Sequence, residues 1–365
     1  MVRVAVLGAG CIGNYVIGSL VYGSLQSPPG EQIEAILVGR DRLKKAVAER
    51  NGLALSSYLQ RADQAPLQVP LKRSGQAGIS VITDIQLLVR EHLDAVFIAV
   101  KLADTAALIP VLKQLPTSVQ IITLQNGVQG IAQLQEMLPE HVIVAGSVPF
   151  NVRESGPAAY HQGSSGALCF EQTLDPRLRA AFARAPPGVA NPNYYDRSGI
   201  MSILYGKLVI NLNNSLNALT GIPLRDQFLS KSLRRILSFM QTEALAVLAA
   251  ARIPTKAFVP VPLWVVPWVL CLPDWLFPIV SATSINIDPT ARSSMYDDLT
   301  LHRKTELSFL NGEIQRLARL HGIATPVIDK ISELVCAAEA ANAGSPQMSS
   351  DTLVAELRVV APGKF

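Results

Sequence analysis

Short, continuous apolar runs punctuate the first half of the chain. RVAVLGAG (3–10), QIEAILVGR (32–40), DAVFIAVK (94–101), SVQIITLQNG (118–127) and HVIVAGSVPFN (141–151) do not alternate between polar and apolar. Between them lie stretches with helical spacing, such as CIGNYVIGSLVYGSL, where Ile12, Val16, Leu20 and Leu25 recur near one face. Strands that are apolar on both sides and alternate with helices predict a parallel sheet covered on both faces. GPAAYHQGSSGALCFEQ (156–172) reads as a hairpin closing this α/β domain, and RAPPGVANPNYYDRSG (184–199) as a linker. The second half changes period. Helices are expected over 200–220, 229–251, 295–321 and 326–342, with VVAPGKF as a loose tail. The organisation is an α/β domain over 1–190, a helical domain over 191–345 and a tail over 346–365. A cleft between two such domains is a usual place for a small ligand.

Composition narrows the function. A chain of 365 residues is long enough for two cores, and 49% apolar with 16% charged residues marks a folded protein. A net charge of +4 with no long Lys/Arg block argues against a nucleic-acid partner. Cys11, Cys169, Cys271 and Cys336 are scattered, and they read as buried apolar residues of a reducing compartment. No His or Cys pair has metal-ligand spacing, so no metal is expected. The N-terminus runs straight into a strand without a signal-peptide pattern, and a cytoplasmic location is expected. The stretch 257–287 is almost uncharged but broken by Pro260, Pro262, Pro267, Pro273 and Pro278. It suits a buried or subunit-interface segment, and hence a homodimer, better than membrane contact.

Gly8-Ala9-Gly10-Cys11-Ile12-Gly13 follows a strand and opens a helix, the context that gives a GxGxxG pattern meaning. The glycines allow a tight turn, close approach of a pyrophosphate and close helix–strand packing, with free N–H groups at the helix start. At the tip of the second strand stands Arg40, not a carboxylate, with Asp41 and Arg42 beside it. An arginine there can hold a 2′-phosphate, which favours NADP(H) over NAD(H). Lys101 and Asn126 end later strands, at the side where a ligand crevice opens.

KLVINLNNSLNALTG (207–221) is greasy yet carries four asparagines. At helical spacing Lys207, Asn211, Asn214 and Ser215 fall on one stripe, while Asn213 and Asn217 fall elsewhere. Asparagine is a poor helix former, so the stripe points to a ligand. In RSSMYDDLTLHRKTELSFLNGEI (292–314), read as one helix, Ser294 and Asp297 resemble a capping pair. Glu306 follows three turns later among apolar residues and needs a cationic partner or ligand.

The GAGCIG turn, VGR, AVK, LQNG, GKLVINLNNSLNALTG, RSSMYDD, RKTELSFLNG and HGIATP together resemble the ketopantoate reductase (2-dehydropantoate 2-reductase) family over residues 2–335. The resemblance implies an α/β Rossmann-type N-terminal domain and an all-helical C-terminal domain like that of 6-phosphogluconate dehydrogenase. It also implies NADPH-dependent reduction of 2-dehydropantoate to (R)-pantoate, on the route to pantothenate and coenzyme A. By the same resemblance Lys207 is the catalytic lysine and Glu306 its acidic partner. Asn211 and Ser294 bind substrate, Asn126 and Lys101 lie near nicotinamide and substrate, and Arg40 recognises the 2′-phosphate. The family often has an amide eight residues after the lysine. Here that place is Ser215, with Asn214 one position earlier, both expected at the substrate. Two other readings stay open: reduction of another 2-oxo acid or imine on the same scaffold, and a non-catalytic NADP(H) sensor.

Overall fold

The computed structural model describes all residues except 62, 165, 187, 258–260 and 282–289. Part of the apolar segment 257–287 therefore lies outside the described residues. The chain forms two compact units, Met1–Met201 and Ser202–Phe365.

Among the described residues the first unit is built on twelve strands: β1 (Val2–Leu7), β2 (Ile33–Val38), β3 (Gly52–Ser57), β4 (Leu67–Pro70), β5 (Gly78–Ile82), β6 (Ala95–Ile98), β7 (Gln120–Thr123), β8 (Ile143–Ser147), β9 (Val152–Gly156), β10 (Ala159–Gln162), β11 (Cys169–Glu171) and β12 (Asn193–Tyr195). Eight form one sheet in the order β12-β11-β8-β7-β6-β1-β2-β5, parallel except where β11 meets β8. The chain steps outward from β1 through β2 to β5, then returns to β6 on the other side of β1. This reversal opens a crevice at the carboxyl ends of β1 and β6.

Helices α1 (Cys11–Ser24), α2 (Asp41–Arg50), α3 (Thr105–Leu112), α4 (Gln129–Met137) and α5 (Pro176–Ala183) complete the unit. Val2, Val4 and Val6 of β1 enter one core with α1 and α5. Ala5 and Leu7 enter the other, with Ile109, Leu112 and Leu134. Continuous apolar strands are thus buried on both faces, as their sequence predicts.

Three strands, β3, β4 and β5, have no counterpart in the sequence reading. The hairpin expected over 156–172 does not form: that stretch holds β10, which pairs with β9 and β3 in a second sheet of order β4-β3-β10-β9, and β11, which joins the main sheet beside β8. The segment expected as a linker contains β12 and the fully buried Val189. Of the four cysteines only Cys169 is buried; Cys11 is half-buried, and Cys271 and Cys336 are exposed.

The second unit is helical: α6 (Arg197–Asn211, crossing the unit boundary), α7 (Asn213–Thr220), α8 (Leu224–Leu229), α9 (Lys231–Ala250), α10 (Val266–Leu270), α11 (Phe277–Val280), α12 (Ser294–Thr300), α13 (Asn311–His321), α14 (Pro326–Ala341) and α15 (Ser350–Val360). Leu233, Ile236, Leu237, Met240, Ala244, Val247 and Leu248 give α9 a continuous apolar stripe at steps of three and four, and α10, α13, α14 and α15 pack on it. The expected helix 295–321 is two helices, because 301–310 turns away. His302 adopts a left-handed φ of +54°, and Glu339 of α14 accepts the Thr305 N–H at 2.8 Å. The expected tail is α15, whose Leu353 and Leu357 are fully buried. Beyond it Lys364 donates to the buried Glu243 at 2.8 Å, and Glu243 also accepts the Val327 and Ile328 N–H groups at the start of α14. No helix of the described residues is long and apolar enough to cross a membrane.

Candidate active site

In the first unit the predicted cofactor residues converge on the crevice. Gly8 has φ +96°, and a Cβ there would lie 2.5 Å from the Val100 N, so only glycine lets β1 turn against the end of β6. A Cβ on Gly13 would lie 2.4 Å from the Gly8 carbonyl, which ties α1 to the turn it follows. Gly10 is different. Its φ of −85° suits any residue, and a Cβ there would meet nothing within 4 Å. Gly10 is exposed and is the N-cap of α1 without a side-chain cap, so the first N–H groups of a 14-residue helix face an open cradle with no acidic residue in the first turn. The chain itself gives no reason for glycine at position 10; a close-approaching phosphate does. These residues fit a dinucleotide.

The surrounding residues hold that cradle in shape. Ala9 donates to the Val38 carbonyl at 3.3 Å, joining the glycine turn to the end of β2, where Arg40 is exposed as the N-cap of α2. Arg42, beside it in α2, is paired with Glu154 at 3.0 Å. The Cys11 thiol is pushed up by burial and by the Glu154 charge, which keeps it protonated, and Ile12 packs on the core.

Two residues overlooked in the sequence matter here. Asn14, fully buried in α1, donates to the Ala9 carbonyl at 2.7 Å and to the Tyr160 hydroxyl at 2.8 Å, which fixes the turn. Burial and the Glu154 charge push that tyrosine up to about 12, so it stays neutral. Gln125, also buried, donates to the Val100 carbonyl at 3.0 Å and to Thr105 at 2.8 Å. It thereby buckles the half-buried Asn126, after β7, to the loop that carries Lys101, after β6. The signal for both was a polar residue inside an apolar run.

In the second unit the asparagines of 207–221 divide by burial. Lys207 is mostly buried in α6, and Asn211 and Asn214 are half-exposed across the break at Leu212. Asn213 and Asn217 are buried and bonded internally. Asn217 donates to the Ile222 carbonyl at 3.0 Å and to Gln227 at 2.8 Å, and accepts the Ser293 N–H at 2.8 Å. Gln227 in turn donates to Asn213.

This amide chain seats the start of α12 on α7, and Ser293 also donates to the Asn214 carbonyl at 3.2 Å. The cap of α12 is Ser293, which accepts from Tyr296 N–H, not Ser294; Ser294 is exposed at the first helical position, beside Asn214's turn of α7. Ser215 departs from its expected place at the substrate. It is fully buried, donates to the Leu212 carbonyl at 2.8 Å and accepts from Asn311 at 3.1 Å. Glu306 is half-buried and opens the turn before α13, where its carbonyl accepts from Phe309 and Leu310. Among the described residues no cluster of His, Cys, Asp and Glu is arranged to hold a metal ion.

Both halves of the chain match one family. Residues 4–174 match the description Ketopantoate reductase PanE/ApbA, and residues 199–339 match Ketopantoate reductase PanE/ApbA C terminal. The chain belongs to the ketopantoate reductase PanE/ApbA family. Among relatives in that family, the 2-dehydropantoate 2-reductase of Halobacterium salinarum is 23% identical over 91% of this chain and 97% of its own.

The fold is shared with a PanE/ApbA family ketopantoate reductase from Ralstonia eutropha, at a TM-score of 0.72 and 24% identity, over 93% of this chain and 99% of that one. It is shared also with a D-mandelate dehydrogenase solved with NADH and anilino(oxo)acetate, at a TM-score of 0.67 and 19% identity, over 93% and 99%. The family assignment makes the chain an oxidoreductase with a nicotinamide cofactor.

Proposed function

We propose that this ketopantoate reductase family member is an NADPH-dependent reductase that converts 2-dehydropantoate to (R)-pantoate, supplying pantothenate and coenzyme A synthesis. The observation that carries the reading is the division of the asparagines: Asn213 and Asn217 are used up inside the fold, while Asn211, one turn after Lys207 in α6, and Asn214, in α7, stay half-exposed. Bound NADPH supplies the hydride. The Lys207 ammonium stabilises the negative charge that develops on the carbonyl oxygen and gives it a proton. Glu306 orients that ammonium. Asn126, Asn211, Asn214 and Ser294 hold the substrate's carboxylate and hydroxyl, which fixes the ketone for attack. Gly8 to Gly13 and Lys101 hold the cofactor, and Arg40 its 2′-phosphate.

A second reading, reduction of a different 2-oxo acid, is favoured by Ser215, which lies in the core where the family often has an amide. One experiment separates the readings. A panel of 2-oxo acids including 2-dehydropantoate is assayed by loss of NADPH absorbance, with NADH in parallel. Preference for 2-dehydropantoate with NADPH supports the proposal, and preference for another acid supports the second reading. NADPH binding without turnover on any acid overturns both in favour of a sensor. Lys207→Ala is expected to abolish most turnover while NADPH binding persists; near-normal turnover would sink the lysine's role.

A further inference from the structure

One carboxylate reaches the phosphate turn from outside the glycine motif. β9 is an edge strand of the small sheet, and its Glu154 lies opposite Tyr160 of β10. Cross-strand partners project to the same face of a sheet. On that face the Tyr160 hydroxyl accepts from Asn14 of α1, whose amide also donates to the Ala9 carbonyl. The preceding residue, Arg153, lies opposite His161 and projects from the other face. Glu154 is therefore turned toward the start of α1. Its charge acts there: burial and then the Glu154 carboxylate push up the thiol of Cys11, the first residue of α1.

The same carboxylate reaches the start of α2. Glu154 accepts from Arg42 at 3.0 Å, and Arg42 is the second residue of α2, two after the exposed Arg40. One carboxylate is thus set against two helix N-termini, where the phosphates of a dinucleotide bind. The pair does little for stability. Its side chains are 83% and 39% exposed, and ion pairs so open to water contribute little. It does change the charge at the tip of β2. Arg40 and Arg42 would give that tip two positive charges, and Asp41 and Glu154 cancel them.

We propose that Glu154 sets how strongly this protein prefers NADPH over NADH, by engaging Arg42 and by opposing the 2′-phosphate. The proposal rests on the reading that the adenosine end of the cofactor lies at Arg40. With NADH the ribose offers only hydroxyls, which meet no opposing charge. With NADPH a phosphate of charge near −2 meets the arginines and the carboxylate together. Binding then exchanges one partner of Arg42 for another, where a free guanidinium would simply be captured. The exposed pair opens easily for that exchange. Arg40 and the helix ends still favour the phosphate, so the preference is lowered and not reversed. A carboxylate opposed to such a phosphate across roughly 8 Å of water-like medium weakens its binding about three- to tenfold. Because 112 residues separate Glu154 from Arg42, the local pattern of the glycine turn carries no trace of it.

The test is calorimetric titration of the full-length protein with NADPH and with NADH, without oxo acid, for wild type, Glu154→Gln and Arg40→Ala. Glutamine keeps the size of the side chain and removes its charge. Glu154→Gln is expected to bind NADPH about three- to tenfold tighter and NADH within about twofold of wild type, with a melting temperature near wild type. The gain should shrink in about 0.5 M salt, because the carboxylate is open to solvent. NADPH binding no tighter than wild type overturns the proposal. So does equal tightening of NADH, or a gain as large in high salt as in low. Arg40→Ala keeps this failure apart from failure of the underlying reading. If it lowers the NADPH-to-NADH affinity ratio while Glu154→Gln leaves the ratio unmoved, the adenosine end lies at Arg40 and Glu154 has no part in selecting it. If neither variant moves the ratio, the placement of the adenosine end fails as well.

Discussion

Gly10 offers a sharp test, because its two glycine neighbours in the motif are required by the fold and it is not. Replacing Gly10 with alanine puts a methyl group where nothing lies within 4 Å, at a φ any residue adopts. Alanine is a poorer helix cap than glycine, by about 0.5 kcal/mol or somewhat more. It also restricts the unfolded chain, worth about 0.4–1 kcal/mol in the other direction. The two nearly cancel, so stability should stay within about 1 kcal/mol of wild type.

A pyrophosphate seated against that backbone would meet the methyl directly. Overpacking at such a contact costs about 1–3 kcal/mol, which weakens NADPH binding roughly five- to hundredfold. Gly13→Ala provides the contrast. Its Cβ would lie 2.4 Å from the Gly8 carbonyl, so the helix must shift and about 2–3 kcal/mol of stability is lost. Calorimetric titration with NADPH, beside a thermal melt of the transition that contains the first unit, reads both quantities. Gly10→Ala with unchanged NADPH affinity would refute the cradle, and Gly10→Ala with a melting temperature as low as that of Gly13→Ala would refute the claim that the fold does not need this glycine.

Other outcomes follow from the same geometry. Arg40→Ala should lower affinity for NADPH by about ten- to a hundredfold and leave NADH almost unaffected, the loss of a charge-assisted contact of about 1.5–3 kcal/mol, measured by titration with each cofactor. Asn217→Ala leaves the Ser293 N–H without its partner and should cost about 2–3 kcal/mol in a denaturant melt, with KM for the oxo acid rising more than NADPH affinity falls. Glu34, in β2, is pushed up by burial but held below its ordinary value by Lys72 and Arg3. Its contribution to stability is therefore complete above a pH of about 4.3 and is lost as pH falls below that range. Glu34→Gln should destabilise the neutral protein by about 1.5–3 kcal/mol and flatten the acid limb of stability against pH.

The α/β half was legible because parallel strands buried on both faces write continuous apolar runs, as in FIAV and QIIT. β3 and β4 were not, because short strands of a small second sheet carry Ala, Ser, Gln and Pro, which read equally well as loop. The helix expected through 295–321 follows a true apolar period, but tertiary bonds from Glu339 and the left-handed His302 break it. The capping pattern pointed to Ser294. Its neighbour Ser293 caps instead because it is also bonded to α7 through Asn214 and Asn217, and no local pattern records that choice. Likewise α15 read as a tail because its anchors, Glu243 for Lys364 and Phe239 for Phe365, lie over a hundred residues away in sequence. In the candidate site, glycine spacing and the asparagine pattern are local signals, but the break at Leu212 that separates α6 from α7 is not; Lys207 and Ser215 are both buried, and Asn214 falls in a different helix from Lys207.

The amide chain that seats α12 on α7 has a kinetic corollary. Asn213, Gln227, Asn217 and Ser293 are held together without a single ionisable group. Nothing in that brace gains or loses a proton between weak acid and weak base, so the seat beside Asn214 and Ser294 keeps its shape across the assay range. A bend in the pH–rate profile of this protein would then belong to groups that handle the proton or the cofactor, and not to a scaffold loosening around them.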